Sequence, residues 1–218
     1  MELIKELPAL GRDLGPGLIL IGLTSLAAIL VGCLFEEWET LPWMATATVS
    51  LCGIGLLLRF LPKTSKVPRT STSIAATALV WVIVGLCGSL PFLFTGMSFL
   101  DAAFESMSAW TGTGFSVVAD IESWPKTLLF WRSFMQWVGG LGIVAFTLTV
   151  ATRSGLITRG MYTSESGGQA FMPSVIATAF QMWKIYAVLT VAAVLAILLT
   201  GVGLWDAVNL ALCGIATG

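Results

Sequence analysis

The sequence contains no histidine among its 218 residues. That absence removes Ser-His and Cys-His nucleophiles, histidine proton relays and histidine metal sites together. Charge is scarce too: 11% of residues are Asp, Glu, Lys or Arg, where a soluble domain carries ~25%. With a net charge of −1 and its bases confined to short polar stretches, the chain presents no basic face for nucleic acid. Cysteine is sparse and unpaired. Cys33, Cys52, Cys87 and Cys213 sit singly in apolar segments without a CxxC pair, so they read as small packing residues rather than zinc or redox ligands. No small-residue cleavage site follows the first apolar block, which is therefore expected to remain as a helix.

What is abundant is apolar surface, at 56% of residues. It is arranged in charge-poor blocks of about 20 residues, the length that crosses a bilayer as a helix. The expected fold class is an all-α polytopic membrane protein. Five spanning segments are expected over 14–35, 41–61, 73–94, 126–151 and 174–200, with a shorter apolar piece at the end. These group into 1–70, two helices and a basic linker; 71–153, a complete unit; 154–173, a connecting loop; and 174–218, the first part of a second unit.

Charge placement predicts the orientation. With the N-terminus cytoplasmic, Lys5, Arg12, Arg59, Lys63, Lys66, Arg69, Arg153, Arg159 and Lys184 fall inside, and only Lys126 and Arg132 fall outside. The acids Glu36, Glu37, Glu39, Asp120, Glu122 and Asp206 share that outer side, and Trp38, Trp43, Trp124, Trp131 and Trp205 are expected at its interface. This arrangement holds only if the stretch 98–122 enters and leaves on the same side.

That stretch, "SFLDAAFESMSAWTGTGFSVVADIE", reads as a re-entrant loop. Its first half is expected to form a short helix with Ser98 or Asp101 near the start. The second half breaks at Thr111-Gly112-Thr113-Gly114. Irregular backbone at membrane depth survives only where it is buried in protein or lines water, because unpaired amides and carbonyls are costly in lipid. A helix ending there also presents its negative dipole end. Exposed carbonyls beside that end form a site for a dehydrated cation, and glycine permits the backbone angles this needs. The tetrapeptide alone fits an ordinary broken helix or outer turn better than a filter; the order helix, short helix, break, helix favours a pore unit.

The end of the chain repeats this pattern. "GMSFLDAAFESMSAWTGTGF" aligns with "GVGLWDAVNLALCGIATG", pairing Gly96 with Gly201, Asp101 with Asp206, and Thr111-Gly112-Thr113 with Ala216-Thr217-Gly218.

Taken with "LPFLFTG" at 90–96, "LLFWRSFMQWVGGLGIV" at 128–144 and "MWKIYAVLT" at 182–190, these segments resemble the membrane subunit of the TrkH/KtrB/HKT superfamily of potassium transporters, closest to the TrkH branch. The resemblance implies four membrane–pore–membrane repeats in one chain around a pseudo-fourfold axis, each giving a short filter segment with a central glycine. Gly114 is then the filter glycine of the first repeat, with the Thr111, Gly112 and Thr113 carbonyls beside it. Ala216, Thr217 and Gly218 belong to the second filter segment. A glycine at 114 goes with potassium selectivity in this family, and a serine there with sodium conduction. The resemblance further implies a bacterial inner-membrane protein that forms a homodimer and binds a cytoplasmic ring of nucleotide-binding regulators, with K+ as transported ion and no cofactor. Third and fourth repeats are not in this sequence, so it is expected to be a portion of a longer chain. The other reading is a truncated, non-conducting product with an assembly or regulatory role.

Further residues carry weaker signals. Asp101 and Glu105 lie four apart on one helix face, fitting either cation enrichment at the outer mouth or helix capping and backbone bonding. Arg132 is expected to snorkel or to pair with Glu105 or Glu122, and Gln136 to bond pore-loop backbone. Gly139, Gly140 and Gly142 read as a close-packing patch, with a gating hinge as the sharper alternative. "SESGG" at 164–168 has no histidine to make it a hydrolase elbow, so no enzyme is expected. "MPSVIATAF" is expected to start the fifth helix.

Overall fold

The computed structural model describes the backbone of residues 2–61, 70–153 and 175–217. The linker 62–69 with Lys63, Lys66 and Arg69, the loop 154–173 with Arg159 and "SESGG", the first three residues of "MPSVIATAF", and Gly218 lie outside the described residues.

Among those residues every regular element is helical. The first expected span is divided into α1, Glu2–Thr24, and α2, Leu26–Leu34. Between them the Ser25 hydroxyl donates to the Gly22 carbonyl at 2.6 Å, a back-bond that competes with the helical ladder. α3, Leu41–Arg59, returns along α1. Their backbones touch through paired glycines: a Cβ at Gly15 would lie 2.6 Å from the Gly55 carbonyl oxygen, and one at Gly55 would lie 2.7 Å from that of Gly15. Small residues permit such closeness between membrane helices, and Leu18, Met44 and Leu51 are fully buried alongside.

α4, Thr70–Ser89, runs on as a 3-10 turn, Leu90–Thr95, and stops at Gly96, whose φ of 79° is left-handed. The short helix α5, Phe99–Trp110, and the long helix α6, Lys126–Arg153, follow. α7 covers Val175–Leu198 and α8 covers Leu204–Ile215. Among the described residues four stretches are long and apolar enough to cross a membrane, namely Leu14–Leu34, Leu41–Arg59, Ile74–Thr95 and Phe180–Leu198. α6 occupies the other expected span; its 28 residues extend ~42 Å at 1.5 Å per residue.

Two tryptophans depart from the expected interfacial belt. Trp131 is fully buried and donates Nε1–H to the Gly88 carbonyl at 3.0 Å, and Trp124 is buried against Phe92 with ring centroids 5.2 Å apart. Each has a protein partner for its ring, which outweighs an interfacial position. Trp38 and Trp43 remain exposed.

Candidate functional site

α5 starts on a reciprocal cap. The Ser98 hydroxyl accepts the Asp101 amide at 3.2 Å and donates to the Asp101 carboxylate at 2.7 Å. Of the two starts expected, Ser98 is the N-cap and Asp101 its return partner.

The direction of α5 follows from its contacts along α6. Glu105 meets Arg132, Ser106 meets Met135, and the Trp110 carbonyl meets Gly139. Gly139 lies thirteen residues into α6, ~20 Å from its start. The chain therefore descends beside α6, turns, and climbs back to Lys126. Both ends of the stretch thus lie toward the start of α6.

The turn is a Schellman motif. Thr111 ends the helix, Gly112 takes φ 66°, and the amides of Gly112 and Thr113 donate to the carbonyls of Ala109 and Ser108, both at 3.0 Å. The Thr111 amide donates to Met107 at 3.0 Å, and that of Gly114 to Ser108 at 3.4 Å. With φ 74° at Gly114, left-handed residues alternate with ordinary ones along the four. All four amides thus turn back onto α5. The carbonyls of Thr111, Gly112 and Thr113 accept no hydrogen bond among the described residues. Three successive unengaged carbonyls, at the negative end of a helix, favour a cation over an anion or a neutral ligand.

The far side of the loop is tied to the protein. Ser108 Oγ donates to the Phe115 carbonyl at 2.6 Å. The buried Glu105 carboxylate accepts Ser116 Oγ at 2.6 Å, the Val117 amide at 2.7 Å and Arg132 Nε at 3.0 Å. Arg132 Nη2 donates to the Gly114 carbonyl at 3.0 Å and the Phe115 carbonyl at 3.4 Å. Of the partners expected for Arg132, the structure selects Glu105. Glu105 is turned away from solvent as an anchor, and does not serve as a mouth charge. Gln136 does not bond the loop: its Oε1 is buried without a hydrogen-bond partner among the described residues.

The second aligned segment reproduces this backbone. Gly96 and Gly201 have φ of 79° and 87°. Ser98 and Gly203 share extended N-cap angles, −64°/154° and −62°/153°. α5 and α8 each have 12 residues, ending on Thr111 and Ala216 with matched angles of −84°/−2° and −79°/−3°. Gly112 and Thr217 then adopt φ of 66° and 65°. The two turns also meet. A Cβ at Gly112 would lie 3.1 Å from the Ala216 carbonyl oxygen, and one at Gly140 would lie 3.5 Å from the Ala216 Cα. The glycine patch on α6 seats both turns, Gly139 under Trp110 and Gly140 beside Ala216, in keeping with a packing role.

Sequence reasoning missed two kinds of residue. Ser108 and Ser116 tether the loop, yet serines flanking a Gly/Thr run give no distinctive signal. Glu37 was read only as an outer acid. It caps α6 from a distant loop, its carboxylate accepting the Lys126 and Thr127 amides at 2.8 Å each. The signal was Pro125, which leaves α6 without a capping side chain at its start.

Comparison with known proteins gives consistent matches. Residues 44–216 match the profile of a family described as TrkH, cation transport protein. An uncharacterized cation transporter of Methanocaldococcus jannaschii is 36% identical over 98% of this chain and 45% of its own length. The Trk system potassium uptake protein TrkH of Halomonas elongata is 34% identical over 95% of this chain and 44% of its own length. The crystal structure of the potassium transporter TrkH from Vibrio parahaemolyticus superposes with a TM-score of 0.78 at 30% identity, covering 94% of this chain and 42% of that one. The chain spans somewhat under half the length of each of these relatives.

Proposed function

The chain belongs to the TrkH family of cation transport proteins, and on that premise we propose that it forms part of a potassium uptake pathway. In this reading Thr111, Gly112 and Thr113 offer carbonyl ligands to the ion, and Gly114 gives the backbone the turn they require. Ala216, Thr217 and Gly218 supply the corresponding segment of a second repeat. The observation that carries it is the row of three unengaged carbonyls at 111–113, with every neighbouring amide turned back onto α5. Carbonyl oxygens in such a row replace the hydration shell of an ion crossing the membrane. Transport then needs no covalent chemistry and no cofactor, and K+ is the cargo.

The whole pathway takes four such segments, of which this chain holds the first and part of the second. The concentration of bases at one set of expected helix ends supports a cytoplasmic N-terminus, and likeness to the family supports an inner-membrane location. By likeness to the family the subunit pairs as a homodimer and docks a cytoplasmic nucleotide-binding regulator.

Substituting Gly114→Ser tests the assignment. At φ 74° a serine is strained by about 1–2 kcal/mol, and relief of that strain moves the row of carbonyls. The rubidium-to-sodium uptake ratio, measured in potassium-uptake-deficient cells expressing the full reading frame that contains these residues, is expected to fall roughly tenfold. An unchanged ratio removes Gly114 from the ion path.

A further inference from the structure

We infer that Arg132 fixes where the carbonyls of the first loop stand, and that it thereby helps to discriminate potassium from sodium. The inference rests on the cation-path reading of Thr111–Gly114 given above.

The guanidinium works on two sides at once. Nε is held by the Glu105 carboxylate at 3.0 Å, while Nη2 reaches the Gly114 carbonyl at 3.0 Å and the Phe115 carbonyl at 3.4 Å. Glu105 is wholly buried and the Arg132 side chain is 11% exposed, so the pair is a fixed feature of the interior. Glu105 is itself held by Ser116 Oγ and the Val117 amide. A buried carboxylate, a guanidinium and the outer face of the loop thus form one connected network.

Two consequences follow. First, the Gly114 carbonyl, next in the chain after that of Thr113, is held in place by an N–H donor. Second, the loop is pinned at Gly114 and Phe115 and cannot draw inward. Sodium is smaller than potassium, so ligands that move inward accommodate it better. A loop pinned so that its carbonyls cannot close in disfavours it. The role is one of positioning, exerted through Gly114 without contact with the ion. A plain anchoring role would change the amount of folded protein and leave the cation ratio alone.

Arg132→Lys keeps a positive charge beside Glu105 but replaces a planar fork with a point charge, which cannot serve the carboxylate and the Gly114 carbonyl together. The readout is the ratio of rubidium to sodium uptake by potassium-uptake-deficient cells expressing the full reading frame, normalised to protein in the membrane. The ratio is expected to fall roughly tenfold, the worth of one charge-assisted hydrogen bond. A second variant, Glu105→Gln combined with Arg132→Met, removes both charges at similar volume, so that no charge is left buried unpaired, and places no N–H donor at 132. It leaves the Gly114 carbonyl without its donor, so its ratio is expected to fall as well. This variant decides alone if Arg132→Lys is not recovered in the membrane. Ratios within about twofold of wild type overturn the role of Arg132. A wild-type protein that takes up neither cation overturns the cation-path reading itself.

Discussion

Replacing Gly139 by alanine is expected to abolish rubidium uptake and to reduce sharply the folded protein recovered from the membrane. A Cβ at this position would lie 1.9 Å from the Trp110 carbonyl oxygen, 2.8 Å from its carbon and 3.1 Å from the Trp110 Cα. All three atoms are backbone, so no side chain can rotate aside. The end of α5 is already committed by the turn that follows it, in which four successive amides fold back onto the helix. The added methyl must therefore drive α5 and α6 apart, and with them the loop that both support. Overpacking typically costs 1–3 kcal/mol and occasionally more. The upper end is expected here, because the clash is with a rigid element at the candidate site. Gly53→Ala is the matched control, since a Cβ there meets nothing within 4 Å. Fluorescence-detected size exclusion of both variants checks this; a Gly139→Ala profile and uptake equal to the control's contradict it.

Glu105→Ala carries the second large effect. The carboxylate accepts hydrogen bonds from Arg132, Ser116 and Val117, and its removal strands a guanidinium that is mostly enclosed by protein. Deleting one partner of a buried ion pair costs about 3–5 kcal/mol, because the charge left behind is uncompensated. Glu105→Gln keeps the volume and one acceptor oxygen, and is expected to lose distinctly less. Thermal unfolding in detergent should rank wild type above Glu105→Gln, and Glu105→Gln above Glu105→Ala. Equal midpoints for Glu105→Ala and wild type contradict an anchoring pair at this position.

Much of this architecture was legible because membrane helices are written in long apolar runs, and the α5 turn in residue types with fixed backbone habits. Gly112 and Gly114 occupy left-handed positions, as glycine after a helix end predicts. The alignment of the chain end with 96–113 carried through to matched backbone angles, since Gly201 repeats Gly96 and Thr217 repeats Gly112. Pairwise side-chain geometry was less legible. Arg132 had two plausible acids in reach of its position, and only the descent of α5 beside α6 selects Glu105 over Glu122. Trp131 was placed at the interface because tryptophan prefers it; the Gly88 carbonyl, contributed by α4, holds it inside instead. Glu37 escaped notice because its partners, the amides of Lys126 and Thr127, lie far away in sequence. Local pattern reports a helix and its turn, whereas a contact between distant segments depends on how the helices stack.

The most direct test of the cation path is crystallographic. Anomalous scattering from rubidium-soaked crystals of the full-length transporter containing these residues is expected to show a peak beside the Thr111, Gly112 and Thr113 carbonyls, on the side facing Ala216. Arg132 should still hold the Gly114 carbonyl. Rubidium density lying elsewhere in the membrane region, with these carbonyls facing none, contradicts the account.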